Sequence, residues 1–205
     1  MFDTYLGTTG GVYRLRDGAA ELLGLASERI WAIHAWRDHA ALTILAGSYG
    51  NGLSRSEDGG RTWLPANAGL TASAFRCIIP DPLRPDAILV GTEPARLFRS
   101  ADDGRMWQEL AGITQIAGHE QWFLPYSPRA GAVRNVYAPP GGTGRLFASV
   151  EVGGLLRSDD GGETWACAPV IEDDDNPFHH RPSARSRSPL RRAGLRGAPA
   201  PPARR

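Results

Sequence analysis

Short apolar runs separated by turn-forming residues recur along most of the chain. Examples are 75–80, 88–92, 133–138 and 146–150, each followed closely by Gly, Pro or an acidic residue. Runs of about four to eight residues with such boundaries are typical of β-strands. No stretch sustains the period of a long amphipathic helix. The pattern therefore predicts an all-β fold.

One motif, Ser-x-Asp-x-Gly-x-x-Trp, occurs three times within this strand pattern. The segments 52–63, 96–107 and 154–165 align without gaps, and their serines are 44 and 58 residues apart. A weaker copy, 11–18, lies 41 residues before the first. Intervals of about 40 to 50 residues are typical of blade repeats. The longer interval therefore predicts one blade plus an insertion of roughly 14 residues.

Each repeat shows the same order of strands. Two apolar runs precede the motif, a third strand enters it, and the Trp opens a fourth strand. Neighbouring strands joined by short turns form antiparallel meanders, the units of a β-propeller. We therefore predict an incomplete propeller of about four four-stranded antiparallel blades over residues 1–171.

The motif residues suit a tight hairpin. Ser and Asp side chains accept hydrogen bonds from turn N–H groups, Gly allows a positive φ, and Trp covers the turn with an apolar face. Met106 replaces the Thr of the other copies, which predicts one missing polar contact. The predicted structural residues are Ser56, Asp58, Gly60, Trp63, Ser100, Asp102, Gly104, Trp107, Ser158, Asp160, Gly162 and Trp165.

These three copies resemble the Asp-box, or BNR repeat, of sialidases, two-domain xyloglucanases, sortilin-type receptors and photosystem assembly factors. The resemblance covers about residues 1–170 and implies a β-propeller. It also implies that the boxes are structural turns away from the ligand face. The segment 119–125 resembles bacterial proteins of this repeat class that are labelled glycosyl hydrolase or sialidase-like.

Blade geometry places a candidate ligand site opposite the boxes, where second strands turn into third strands. The offsets of 44 and 58 residues make Tyr49, Glu93 and Glu151 equivalent, and they pair Arg76 with Arg134. Together with the insertion, the candidates on this face are Tyr49, Arg76, Glu93, His119, Glu120, Trp122, Tyr126, Arg129, Arg134 and Glu151. They suit an anionic or sugar ligand. Alternatively, the arginines and glutamates form structural ion pairs and Trp122 packs the insertion against the fold.

The residues support two functions from different classes. One is a binding or assembly scaffold that recognises a carbohydrate or a protein. The other is a glycosidase of sialidase-like or xyloglucanase-like type, with Glu93, Glu120 and Glu151 as possible carboxylate pairs. The resemblance to sialidases implies a site with three arginines and a Tyr–Glu pair, yet only two equivalent arginines occur in this sequence. We therefore assign no catalytic residue, and we predict no metal and no cofactor.

Composition adds limits on compartment and partners. The 23 basic residues are all Arg, the 22 acidic residues nearly balance them, and only two Cys occur. Neither a signal sequence nor a membrane-length apolar run is found, which predicts a cytoplasmic protein without a membrane partner. A nucleic-acid partner is not expected, and open blade edges could allow self-association.

The last part of the chain differs in composition. Residues 172–205 begin with acidic residues, and 181–205 contain eight Arg and no acid. So few apolar residues predict a disordered tail. Three interpretations remain open: an artefactual end such as a frameshift, a plain solvated tail, or a basic arm for a polyanion.

Overall fold

The computed structural model describes residues 3–38, 41–124, 127–141 and 143–168. These residues form four antiparallel sheets, which we number blades 1 to 4 in chain order, and one separate hairpin. The predicted tail of residues 172–205 lies outside the described residues, so its boundary and its disorder stay predictions.

The strands follow each other in chain order within every blade. Blade 1 contains β1 (Thr4–Thr8), β2 (Gly11–Arg16) and β3 (Ala19–Gly24), and blade 2 contains β4 (Ile30–Asp38), β5 (Ala41–Ser48), β6 (Leu53–Ser56) and β7 (Leu64–Pro65). Blade 3 contains β8 (Ala74–Pro80), β9 (Ile88–Glu93), β10 (Leu97–Ser100) and β11 (Gln108–Glu109). The insertion holds a 3₁₀ turn (His119–Gln121) and the hairpin of β12 (Phe123–Leu124) and β13 (Ser127–Ala130). Blade 4 contains β14 (Ala132–Tyr137), β15 (Leu146–Glu151), β16 (Gly154–Ser158) and β17 (Ala166–Cys167).

Three blades are the four-stranded meanders that the repeat predicts, and the all-β fold is confirmed. Blade 1 differs, because the described residues give it three strands. Gly7 of β1 is paired with Val12 of β2, and in blade 2 Gly47 of the second strand, β5, is paired in the same way with Leu53 of the third strand, β6. Strand β1 is therefore equivalent to the second strand of the other blades, and the described residues of blade 1 begin with it.

The hydrophobic core lies between blades. We call the face of a blade that is turned toward the following blade its leading face, and the opposite one its trailing face. Leu89 and Leu97 on the leading face of blade 3 share a buried cluster with Val133, Leu146 and Leu156 of blade 4. A similar cluster joins blades 2 and 3. Each sheet is thus buried against its neighbours, at roughly 25 cal/mol per Å² of apolar surface.

The three Ser-Asp hairpins (56–63, 100–107 and 158–165) share one hydrogen-bond pattern. In the first, the Gly60 N–H donates to Ser56 Oγ at 2.8 Å and the Thr62 N–H donates to Asp58 Oδ1 at 2.9 Å. The Thr62 hydroxyl donates to the second carboxylate oxygen at 2.7 Å. These bonds satisfy backbone groups that leave the ladder in the turn. Equivalent backbone bonds occur in the other two hairpins.

The second hairpin lacks the hydroxyl bond, because Met106 stands in place of Thr. The backbone N–H and hydroxyl of Thr62 lower the pKa of Asp58 to about 2, and those of Thr164 do the same for Asp160. Burial acts to raise the pKa of Asp102, and the bonds from the Met106 N–H and from Ser100 lower it overall. The three carboxylates therefore differ by one hydroxyl donor.

The hairpin Trp side chains connect each blade to the one before it. The indole N–H of Trp107 donates to the Ala66 carbonyl of blade 2 at 3.0 Å, and Trp107 is buried. The Trp63 indole N–H donates to Leu23 of blade 1 at 3.3 Å and to Gly60 of its own hairpin at 3.1 Å. The motif thus fixes the turn and also closes the outer part of a blade boundary.

Replacing Met106 by Thr should restore the missing bond to Asp102. Met106 is 57% exposed, so little packing is lost. We expect the free energy of unfolding to rise by about 0.5–1 kcal/mol, the usual net value of one hydrogen bond. Urea unfolding of Met106→Thr measures the change. Met106→Val has the same shape without the hydroxyl, and an equal gain in both variants would contradict the prediction.

Acid should weaken the first hairpin in a defined pH window. The folded-state pKa of Asp58 is about 2, below its ordinary value of 3.8. A lowered folded-state pKa stabilises the protein above the unfolded-state value, and this contribution is lost as pH falls through the folded-state value. The difference in unfolding free energy between wild type and Asp58→Asn should be constant above about pH 5 and narrow from about pH 4 to 2. Urea titrations across this range measure it.

The control for this titration is Asp86→Asn, a substitution at an exposed turn position. Its difference from wild type reports the loss of one carboxylate outside the hairpins. If both differences follow the same course with pH, the hairpin bonds are not the cause.

Candidate functional site

Each complete blade has a β-bulge in its innermost strand. The ladder shifts register between Ile30 and Ala32, between Phe75 and Cys77, and between Val133 and Asn135. A bulge leaves one residue without a ladder partner and redirects its side chain. The three bulge residues are Trp31, Arg76 and Arg134.

Each bulge residue contacts the end of the second strand of its own blade. The Trp31 and Tyr49 rings stack with centroids 5.2 Å apart in blade 2. Arg76 binds Glu93 in blade 3, and Arg134 binds Glu151 in blade 4. These three pairs lie where second strands turn into third strands, at the opposite end of each sheet from the Ser-Asp hairpins. We call this row of pairs the bulge row.

Arg76 lies at the centre of the bulge row. Its Nε donates to Glu93 Oε2 at 2.8 Å and its Nη2 donates to the same oxygen. The guanidinium carbon lies 4.3 Å from the centre of the Trp31 ring and 4.7 Å from that of Tyr49. Such distances give cation–π attraction. The Arg76 and Glu93 side chains are 2% and 0% exposed, so the ion pair is closed from solvent.

Two polar features complete this part of the row. The Tyr49 hydroxyl donates to Glu93 Oε1 at 3.4 Å. Arg76 Nη1 is buried and has no hydrogen-bond partner among the described residues. Trp31, in contrast, is 48% exposed. The row therefore presents an aromatic surface that is backed by a buried cation.

The equivalent pair in blade 4 is open to solvent. The Arg134 and Glu151 side chains are 37% and 25% exposed. They line a shallow groove of about 510 Å³ together with Ser149 and Leu155. The same pair of residue types is therefore structural in blade 3 and accessible in blade 4.

The insertion packs on the fold through Trp122. A Cβ at Gly131 would lie 3.4 Å from the Trp122 ring and one at Gly153 would lie 3.0 Å from it, so both backbones approach the indole closely. His119 meets Trp122 edge-on with centroids 6.0 Å apart, and its Nδ1 lies 3.6 Å from Glu120. Glu120 remains exposed. Trp122 thus anchors the insertion beside the turn that follows Glu151.

The sequence-predicted site residues fall into two groups. Tyr49, Arg76 and Glu93 contact one another, whereas Arg134 and Glu151 pair in the next blade. His119 and Trp122 lie near that second pair, and Glu120 points into solvent. Tyr126 and the side chain of Arg129 lie outside the described residues.

Sequence reasoning missed Trp31. It is the bulge residue equivalent to Arg76, yet 45 residues separate the two, while the hairpin serines of these blades are 44 apart. An alignment without gaps therefore matches Arg76 with Ala32. In the innermost strand, the alternation of residues between the two faces of the sheet shifts by one position at the bulge. This shift is the signal that could have revealed Trp31.

Two other titratable residues have ordinary packing roles. Burial raises the pKa of the Cys77 thiol to about 11, which keeps it protonated and unreactive. Burial lowers the pKa of His34, whose ring stacks on Trp36 with centroids 5.2 Å apart. No group of three or more His, Cys, Asp or Glu suited to a metal ion occurs among the described residues.

The chain matches no protein-family model and no curated protein. Solved structures of similar fold include the GH74 xyloglucanase from Xanthomonas campestris, with a TM-score of 0.54 and 24% identity, over 80% of this chain and 28% of that chain. They also include YCF48 bound to D1 peptide, with a TM-score of 0.51 and 19% identity, over 80% of this chain and 48% of that chain. The protein thus has the β-propeller fold, and it spans less than half the length of either structure.

These two neighbours differ in function, since one is a glycoside hydrolase and the other is shown with a bound peptide. Their likeness establishes architecture. Within the described residues, no helix is both long and apolar enough to cross a membrane.

The two equivalent ion pairs should differ in their contribution to the free energy of unfolding, because one is buried and the other is half exposed. Replacing Arg76 by Met leaves the buried Glu93 carboxylate without its guanidinium, which typically costs about 3–5 kcal/mol. Replacing Arg134 by Met breaks a half-exposed pair, for which about 0–1 kcal/mol is usual. Urea unfolding of both variants measures the difference. Adding Glu93→Gln to Arg76→Met should recover part of the loss, and equal losses for the two single variants would contradict the prediction.

Proposed function

We propose that this protein is a non-catalytic binding scaffold of the Asp-box type, and that it binds a polypeptide at the bulge row. The observation that carries the proposal is the pairing of both repeat-equivalent glutamates with arginines. Glu93 is 0% exposed beneath Arg76, and Glu151 is bound to Arg134. A glycosidase needs two carboxyl groups about 5 to 9.5 Å apart that reach the scissile bond. A fully buried Glu93 does not reach a substrate.

The exposed part of the row suits protein recognition. Trp is among the residues that contribute most to protein–protein binding, because a large rigid ring is buried at little entropic cost. Trp31 is half exposed, is held by Tyr49 and lies over the Arg76 guanidinium. A pre-ordered anchor loses little conformational freedom on binding. The peptide that accompanies the similarly folded YCF48 supports this ligand class.

The alternative is a glycosidase, which the fold likeness to a xyloglucanase and the exposed Glu120 favour. A panel of fluorogenic glycosides, incubated with folded full-length protein, tests it. We expect no release above the blank. If wild type hydrolyses a glycoside and Glu120→Gln or Glu151→Gln abolishes this activity, the protein is a glycosidase and the scaffold proposal is wrong.

Selection from a phage-displayed library of random twelve-residue peptides tests the scaffold directly. Peptides that bind wild type should bind Trp31→Ala at least about tenfold more weakly, the equivalent of about 1.4 kcal/mol. Leu64→Ala is the matched control, because Leu64 is an exposed apolar residue on the outermost strand of the same blade. Biolayer interferometry measures the affinities. Equal binding by wild type and Trp31→Ala would place the ligand elsewhere and overturn the proposal.

A further inference from the structure

The leading faces of successive blades differ sharply in exposure. Leu53 of blade 2 and Leu97 of blade 3 hold equivalent positions, opposite Gly47 and Gly91, and are 1% and 0% exposed. Leu155 holds this position in blade 4 and is 43% exposed. The leading face of blade 4 is therefore built like a blade boundary, and no described residue covers it.

A polar contact differs in the same way. Arg55 Nε of blade 2 donates to the Asp103 carbonyl at 2.8 Å, and Arg99 Nη2 of blade 3 donates to the Gly161 carbonyl at 2.7 Å. Both acceptors lie in the Ser-Asp hairpin of the following blade. The equivalent Arg157 of blade 4 donates to Asp159 of its own hairpin at 2.9 Å, and Arg55 likewise donates to Glu57, but Arg157 makes no forward contact among the described residues. Blade 4 thus keeps the donor half of this contact on its surface.

The complementary surface is present on blade 1 of the same chain. Leu6, Tyr13 and Leu22 are directly opposite one another across the three strands, on the trailing face. Leu6 and Leu22 are 40% and 45% exposed. The exposed turn at Asp17 and Gly18 joins the same pair of strands as the hairpins of the later blades, so it has backbone carbonyls free to accept from Arg157 in the proposed contact.

Ser149 alters the fit at the leading face of blade 4. At each described boundary, a glycine of the second strand admits a side chain of the following innermost strand: Gly7 admits Ile30, Gly47 admits Phe75 and Gly91 admits Val133. A Cβ at Gly47 would lie 2.5 Å from Phe75 Cβ. The equivalent residue in blade 4 is Ser149, whose side chain fills this space. A bulky residue from an innermost strand would meet the Ser149 side chain there, whereas the described strands of blade 1 bring no such residue to the contact.

We propose that the leading face of blade 4 binds the trailing face of blade 1 of a second copy, head to tail. Two such contacts would close a dimer of eight blades, a number within the range of known propellers. Such a contact is heterologous, since each copy contributes a different surface. Trp31 and Tyr49 of the bulge row lie in blade 2 and take no part in this contact, whereas Arg134 and Glu151 border it beside Ser149 and Leu155.

Sedimentation velocity of the full-length chain from about 1 to 100 µM tests the proposal. Wild type should shift from 22.1 kDa to twice this mass as concentration rises. Leu155→Lys and Leu6→Lys each place a charge in the contact, and each variant alone should lose at least about tenfold in self-affinity. Leu64→Lys, an exposed site on neither terminal face, should associate like wild type.

Mixing the two variants distinguishes a head-to-tail contact from a symmetric one. A Leu155→Lys copy retains an intact trailing face on blade 1, and a Leu6→Lys copy retains an intact leading face on blade 4. Their equimolar mixture should therefore form a one-to-one dimer that does not grow further. Absence of this recovery, or association of only one variant alone, would overturn the head-to-tail arrangement.

A wild-type protein that remains at 22.1 kDa throughout, with a β-rich circular dichroism spectrum, would overturn self-association altogether. The result is independent of the proposed ligand site. Trp31→Ala should associate like wild type even where it loses peptide binding, and a loss of association in Trp31→Ala would also contradict the assigned surfaces.

Discussion

A blade of this protein cannot bury its own apolar surface, because a single four-stranded sheet has two faces and no internal core. Leu45 and Leu89 reach 0% exposure only because the following blade covers them. Burial between sheets therefore determines the remaining architecture. The Ser-Asp hairpins hold the outer strands in register, the hairpin Trp residues reach back to the preceding blade, and Arg55 and Arg99 reach forward to the next one.

The candidate site also results from the packing of blade against blade. Bulges in the innermost strands release one side chain per blade from the packed faces and direct it to the end opposite the hairpins. The repeat thus supplies a fixed position, and each blade fills it with different chemistry: Trp31 with Tyr49, Arg76 with Glu93, and Arg134 with Glu151. The position is determined by the fold, whereas the residue types determine whether it is structural or available for binding.

Much of this fold was predictable from sequence, because the hairpin motif acts locally. Ser56, Asp58 and Gly60 satisfy one another within a few residues, so their spacing alone determines the turn and the blade interval. The site was predictable only in part. The offsets found Arg76 and Glu93, but the cover over their ion pair includes Trp31 and Tyr49 of the preceding blade. The bulge also displaced Trp31 from its aligned position. Non-local packing and one-residue register shifts leave little trace in a single sequence.

The glycines at the blade boundaries have a mechanical consequence. At Gly7, Gly47 and Gly91 the neighbouring side chain lies so close that even a methyl group would collide with it. Each of these close contacts limits how near the two sheets can approach at that point, and so helps to set the angle between them. Because the sheets are joined in series, a change of angle at one boundary turns every later blade as a rigid body. A substitution at Gly47 would therefore misalign blades 3 and 4 together, and the displacement would be largest at the blade farthest along the chain.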